Sequence, residues 1–287
     1  MEMNKFFFQM INGLAYGMNY ALIASGVTLM WGIMDFINIA HGELYMLGAY
    51  MAWLSTIYVF NNFWFALLIG VIAVTVMGVG IRYAVLPVLG KNPLYSLLAT
   101  YGLGLALQQT ILAIFGPFSK DLMRPIEYKL FLFGFEYPAY RIFIIVISAA
   151  VIGGSWLFMK KSKYGIWIRA VAQDKEMASC MGLPIPFIYT LIFGLGAAMA
   201  ALGGIIAAPL FSIHPYMGGE IILTAFIIVM IGGLGNFLGS IIAAILIGEA
   251  IAMGSLWLAP TQAYVAALGV LLLVLIFRPE GLAKGLR

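Results

Sequence analysis

Phe187-Ile-Tyr-Thr-Leu-Ile-Phe-Gly-Leu-Gly-Ala-Ala-Met-Ala-Ala-Leu-Gly-Gly-Ile-Ile-Ala-Ala208 runs for 22 residues without a charge. As a helix it is about 33 Å long, enough to cross the hydrocarbon of a bilayer. Trp64 to Ile81 and Tyr264 to Phe277 are almost wholly apolar in the same way. Of the chain's 287 residues, 64% are hydrophobic and 9% charged, whereas a soluble domain carries about 25% charged residues. Too few polar side chains exist to cover a water-facing surface. The apolar runs do not alternate with polar residues, so a transmembrane barrel is excluded. An all-α integral membrane protein is the class that fits.

Directly before this run stands the most polar stretch of the chain, Lys160 to Pro186. It holds Lys160, Lys161, Lys163, Arg169 and Lys175 against Asp174 and Glu176. Basic loops lie on the cytoplasmic side of a membrane. The same bias places Arg82, Lys91 and the closing Arg278, Lys284 and Arg287 inside, and the charge-balanced Ser119 to Glu136 outside. The net charge of +4 is therefore a topology signal and no sign of nucleic acid. Counting spans back from Lys160 puts the N-terminus outside if Phe6 to Met30 crosses once. No small-residue cleavage site follows the first apolar run, so Phe6 onward reads as mature helix. Cys180 is the sole cysteine, and no intrachain disulfide forms.

Within the polar stretch, Asp174 is a helix N-cap and Glu176 complements the positive end of a helix. Gly182 suits a left-handed C-cap, with Pro184 just beyond. These signals predict a two-turn helix, marginal on its own in water. It either docks on a partner or packs as a connector on its own protein; the residues leave both open.

Two places interrupt the membrane pattern. Between Trp31 and Glu43 stand Asp35, Asn38, His41 and Glu43, four polar or ionisable side chains between apolar runs. A charge at mid-membrane costs about 2.5 to 3.5 kcal/mol on insertion scales, so such residues line paths or pair internally. Asn38 and His41 either satisfy backbone groups freed by the break or touch a solute. In the second place, Ile221 to Ile231 and Ile241 to Met253 are each too short to cross and are joined through Gly232, Gly233, Gly235 and Asn236. That predicts a broken or re-entrant pair, tolerated only around protein or a water path. The two interruptions, centred on Asn38 and Asn236, suggest the two halves of a repeat. Glu249 either pairs with a basic group or sits near the outer interface. Gly48-x-x-x-Ala52 and Gly196-x-x-x-Ala200 are small-residue pairs for close helix packing.

The chain has no Gly-x-x-x-x-Gly-Lys-[Ser/Thr] loop, so it does not bind ATP in that way. It has no Gly-x-Ser-x-Gly or His-Glu-x-x-His motif. Its two histidines, His41 and His214, show no metal-ligand spacing.

Four motifs together resemble the permease subunits of branched-chain amino acid ATP-binding cassette (ABC) importers of the LivH type, over nearly the full length. The first is Asn12-Gly-Leu-Ala-Tyr-Gly17-Met-Asn-Tyr20-Ala-Leu-Ile-Ala-Ser-Gly26. The second is Asn38-Ile-Ala-His41-Gly42-Glu43-Leu-Tyr-Met46-Leu-Gly48-Ala-Tyr50, the most specific. The third is Arg169-Ala170 with Asp174, Ala178 and Gly182. The fourth joins Gly232-Gly233-x-Gly235 to the tail Arg278-Pro279-x-Gly281. Two departures are Asn236, where many relatives have serine, and the stiffening pair Pro184 and Pro186.

The resemblance implies a single transmembrane permease domain over residues 1–287, with about eight membrane helices, broken or re-entrant elements and a ribose-permease-like fold. Residues 160–186 would be its cytoplasmic coupling loop, with Arg169, Ala170, Asp174, Glu176, Ala178 and Gly182 facing a separate ATPase. Asn38, His41 and Glu43 would stand near the translocation path. ATP would be used by partner subunits, with no cofactor bound by this chain and no enzymatic activity of its own. A second, LivM-like permease, two ABC ATPase subunits and an extracytoplasmic solute-binding protein would complete an importer in a bacterial or archaeal plasma membrane. Relatives carry branched-chain amino acids, urea, short amides or other small polar solutes. The rival reading is an ATP-independent secondary transporter or channel. A membrane enzyme using His41 and Glu43 is a third.

Overall fold

A computed structural model describes residues 2–59, 62–85, 87, 93–132 and 135–277. Lys91 and the tail from Arg278, with the Arg278-Pro279-x-Gly281 motif, lie outside the described residues. The helices are α1 (Glu2–Met34), α2 (His41–Leu54, ending in a π-helical turn at Ser55–Val59), α3 (Phe63–Val85), α4 (Pro93–Phe115), α5 (Ala139–Lys161), α6 (Lys163–Gln173), α7 (Lys175–Cys180), α8 (Ile185–Ala207), α9 (Met217–Gly232), α10 (Phe237–Gly254) and α11 (Pro260–Phe277). Between α4 and α5 a hairpin of β1 (Lys129–Leu132) and β2 (Phe135–Pro138) departs from the all-α expectation. Its Lys129 ammonium lies 2.7 Å from Glu136, and that hydrogen bond holds the Glu136 carboxyl below its ordinary range.

Helices α5 and α8 flank the basic segment, which fixes their Lys161 and Ile185 ends in the cytoplasm. The remaining helices are oriented by what they touch. Phe8 stacks edge-on against Tyr137, and the Tyr137 hydroxyl donates to Asn12 at 2.8 Å. The start of α1 is therefore at the outer end, beside the start of α5. Further along, a Cβ on Gly196 would stand 2.7 Å from Met30, so α1 descends against the rising α8. The start of α1 thus lies at the end of the bundle opposite the basic segment. Helix α3 descends too, and at its lower end Arg82 donates to the Pro186 carbonyl at 3.0 Å.

Among the described residues six helices are long and apolar enough to span a bilayer: α1, α3, α4, α5, α8 and α10. Within their apolar windows, 78% of α1 and 72% of α8 are buried, but only 17% of α4 and of α5. Thus α1 and α8 are the core, and α4 and α5 lie at the periphery of the chain. The count of eight does not follow from length alone, because α2 and α9 are short helices of 14 and 16 residues.

One expectation is corrected. Helix α10 is not a re-entrant fragment. Its 18 residues lie antiparallel along α1, Ser255 beside Gln9 at one end and Gly235 beside Gly32 at the other. The seam closes because both backbones lack side chains where they meet: a Cβ on Gly17 would come within 2.7 Å of Ile245 Cα, and Gly248 lies on the Gly17 amide. The second interruption is instead residues 208–216, between α8 and α9.

This shift changes which elements correspond. Helix α1, the break at 35–40, α2 and α3 match α8, the break at 208–216, α9 and α10, with opposite direction through the membrane. Exchanging the halves turns the α1–α10 seam into the α8–α3 seam, where Gly78 sits on Ala197 and Gly70 on Ile205. The α1–α8 crossing maps onto itself. The two short helices meet at Gly42 and Gly218, equivalent positions with no room for a side chain on Gly42. This is the arrangement of an inverted repeat. The partner of the Asn38 break is therefore the His214 segment, not the Asn236 turn.

Candidate functional site

Three places carry polar chemistry, and the cytoplasmic cap is the first. Ser162 accepts the Gly165 amide at 2.9 Å and starts α6, a helix the polar reading of this stretch missed. Gly165, Ile168 and Val171 form its buried face. The Arg169 guanidinium donates to the Met159 carbonyl in the last turn of α5, where backbone acceptors have no intrahelical donor.

Helix α7 has both expected caps. Asp174 accepts the Met177 amide at 2.9 Å. At the other end Gly182 has φ +79°, its amide donates to Ser179 at 2.9 Å, and the Leu183 amide donates to Ala178 at 3.1 Å. That crossed pair of bonds is a Schellman closure. Between α6 and α7 lies a groove of about 380 Å³ lined by Trp167, Ala170, Asp174, Met177, Ala178 and Met181, among others. Met177 and Met181 are 59% and 77% exposed. Of the predicted coupling residues, Ala170, Asp174 and Ala178 line this groove, Glu176 is exposed beside it, Gly182 shapes the cap, and Arg169 ties it to α5.

The break at 35–40 is the second place. Asp35 turns the chain in the left-handed region at φ +46°. The freed backbone groups are not satisfied by the Asn38 or His41 side chains. Thr100 of α4 does this: its hydroxyl accepts the Ile39 amide at 3.1 Å, and the Ile37 carbonyl stands 3.2 Å away. Nothing local in the sequence marks Thr100 for this role.

Asn38, His41 and Glu43 are each buried. The Asn38 amide donates weakly to Met30 sulfur at 3.4 Å. His41 is enclosed where α1 crosses α8, with Gly26 and Gly196 against its ring. The Ile23 backbone is its polar neighbour, outside hydrogen-bond geometry. Glu43 lies against Gly218 and Gly104. Asn38 Oδ1, both His41 ring nitrogens and Glu43 Oε2 have no hydrogen-bond partner. A buried polar group left so costs about 1–3 kcal/mol. Three such residues in and beside one break add nothing to stability.

The predicted glycines of the second turn serve the α1–α10 seam. Gly233 and Gly235 have φ +96° and +78°, Gly235 lies on Gly32, and Gly232 lies on Gly239 and Ser240. Asn236 caps α10 by accepting the Gly239 amide at 2.9 Å. Glu249 lies against Gly13 in the outer half of the same seam, half-buried.

The third place was not foreseen. A cavity of about 320 Å³ opens at the outer end between α1, α2, α9, α11 and the 208–216 break. Tyr20, Tyr45, Thr224 and Tyr264 give it hydroxyls, His214 an imidazole and Glu220 a carboxylate. Its wall is tied to the outer loop: the Lys120 and Ile213 amides each donate to the other's carbonyl at 2.8 Å, and Ser212 donates to Asp121 at 3.1 Å. Among the described residues no cluster of three or more His, Cys, Asp or Glu could hold a metal.

Residues 9–277 match the family described as branched-chain amino acid transport system / permease component. The chain is 31% identical to the high-affinity branched-chain amino acid transport system permease protein BraD of Pseudomonas aeruginosa, covering 98% of this chain and 96% of that protein. It is 30% identical to the protein named LivH, of the same description, of Escherichia coli K12, covering 96% and 94%. A probable branched-chain amino acid transport permease protein LivH of Methanocaldococcus jannaschii is 25% identical over 79% of this chain and 74% of its own length. No solved structure matches the chain. The family is one of multi-pass membrane permeases and not of enzymes, and the helices found here fit it. With the match spanning all three polar places, the chain belongs to the branched-chain amino acid transport system permease family.

Proposed function

We propose that this chain is one of two membrane-spanning permease subunits of an ATP-driven importer that carries branched-chain amino acids, or a related small polar solute, into the cytoplasm. A second, LivM-like permease, two ABC ATPases and an extracytoplasmic binding protein complete the assembly, and ATP is bound by the ATPases. The observation that carries this reading is the α6–α7 cap, with its exposed methionine-lined groove at the cytoplasmic end. Flexible apolar side chains around a groove suit a docked partner element. The chain has no phosphate-binding loop of its own, so a partner must supply the ATP-driven motion.

ATP closes the partner ATPases, the cap moves with them, and α5 and α8 follow because Arg169 and the Leu183 turn fasten the cap to both. Arg82 passes the motion to α3 through Pro186. The sealed Asn38–His41–Glu43 region is then the stretch of path that must open. Its unpartnered polar atoms are supplied with partners by a passing solute or water.

The test begins with affinity purification of the tagged chain from its native membrane. Co-purified ATPases and ATP-dependent leucine uptake in proteoliposomes are expected. Uptake by the chain alone, driven by an ion gradient, would establish the secondary-transporter reading instead. Asp174→Ala removes the α7 cap, worth about 1 kcal/mol, at a solvent-exposed site. It is expected to cut the ATPase stimulation caused by loaded binding protein while leaving the assembly intact on size exclusion. Unchanged stimulation and uptake would remove α7 from the coupling path.

A further inference from the structure

We infer that the outer cavity beneath the 208–216 break is a binding chamber for a zwitterionic amino acid with an aliphatic side chain, occupied before the Asn38–Glu43 region opens. The inference rests on the importer reading and adds a site to it. Its volume of about 320 Å³ is at the small end of ligand pockets, sized for a single small solute.

The lining combines polar and apolar groups. His214 Nε2 and Glu220 Oε2 stand 3.8 Å apart around the start of α9. A zwitterion has the two charges in one molecule that such a pair can each engage. Its ammonium is complementary to Glu220, whose side chain is 69% exposed toward the entrance. Its carboxylate is complementary to His214, the tyrosine hydroxyls and the positive end of α9. Phe211, Met217 and Ile221 add apolar surface, the last two on the same face of α9 as Glu220.

The floor is a latch between helices. Thr224 of α9 and Tyr264 of α11 share a hydrogen bond of 2.6 Å, and Tyr45 of α2 accepts from Asn19 at 3.4 Å. A solute that takes over the Tyr264 hydroxyl loosens α9 from α11. Helix α9 meets α2 at Gly42–Gly218, beside Glu43, so the occupied chamber is mechanically next to the seal.

Two experiments test this. In the first, Cys180→Ser removes the one native thiol and Ile221→Cys places one in the chamber, with the full chain in right-side-out membrane vesicles. A membrane-impermeant maleimide should label the introduced thiol from outside. Millimolar L-leucine should slow labelling in a saturable way, and glucose should not. A rate unmoved by leucine up to its solubility limit overturns the chamber. In the second, Ile221→Trp is assayed in the assembled importer for uptake of leucine and of alanine. The leucine-to-alanine ratio should fall about tenfold, as expected when a pocket loses room for methylenes. Equal loss of both, or an unchanged ratio, overturns it. Uptake by the unaltered chain that needs no ATP would sink the importer reading alone; the labelling result would still decide the chamber.

Discussion

Thr100 shows how much one hydroxyl can hold. It sits on a peripheral helix and yet supplies the Ile39 amide with its acceptor, while its proton has the Ser96 carbonyl at 2.8 Å and the Ile37 carbonyl at 3.2 Å within reach. Thr100→Val keeps the shape and removes the acceptor. It should cost about 1–3 kcal/mol through the orphaned amide, read as a lowered unfolding midpoint in detergent, and Thr100→Ser should restore most of it. Equal stability of Thr100→Val and the parent would show that water replaces the hydroxyl. Asn38, His41 and Glu43 behave differently: each holds at least one buried polar atom without a partner, Asn38 Oδ1, the two His41 ring nitrogens and Glu43 Oε2, which costs stability where Thr100 supplies it. Residue for residue, the sequence pointed correctly to an unusual polar group at the break. It could not point to Thr100, because a threonine in an apolar helix most often bonds its own backbone, as Thr75 does with Val71 at 2.6 Å.

At the scale of elements, the α1–α10 seam is the strongest constraint on the fold. Any side chain on Gly248 meets the Gly13 carbonyl and the Gly17 backbone, which cannot yield as a flexible side chain can. Gly248→Leu should part the two helices at a cost above the roughly 1–3 kcal/mol of ordinary overpacking, seen as loss of folded monodisperse protein on fluorescence-detected size exclusion. Gly153→Leu, at an open surface position, is the control expected to be silent. Elements were unequally legible. The α7 caps could be read outright, because Asp174 and Gly182 act on backbone within four residues of themselves. Helix α6 was hidden by its lysines, although Ser162 and the spacing of Gly165, Ile168 and Val171 mark an amphipathic turn. The sequence singled out no interruption at 208–216. The importance of that break depends on α9 meeting α2 some 170 residues away in the chain, and no local signal records that.

For the whole molecule, the inverted repeat explains why one scaffold can present a path to either side. Each half offers a long buried helix, a break and a half-helix, and the halves share the contact at Gly42 and Gly218. In the conformation seen here the chamber opens outward and the Asn38–Glu43 region beyond it is sealed. Two related arrangements of equivalent halves are the natural pair of states for alternating access, and a ligand shifts their balance only by binding one better. Helix α8 runs from the Leu183 edge of the groove to the 208–216 break above the chamber, so one buried helix joins the two ends.

The paired amides of Lys120 and Ile213 give that structure an external handle. Phe118 and Met123 on the same loop are 76% and 86% exposed, an epitope reachable without entering the path. A single-domain antibody selected against residues 118–124 would grip the chamber wall from outside. It is expected to lower the maximal rate of leucine uptake without raising the leucine concentration needed for half that rate. Purely competitive kinetics would show that it merely covers the entrance. A permease of this design would then be open to inhibition from the cell surface at a position where cargo cannot displace the inhibitor.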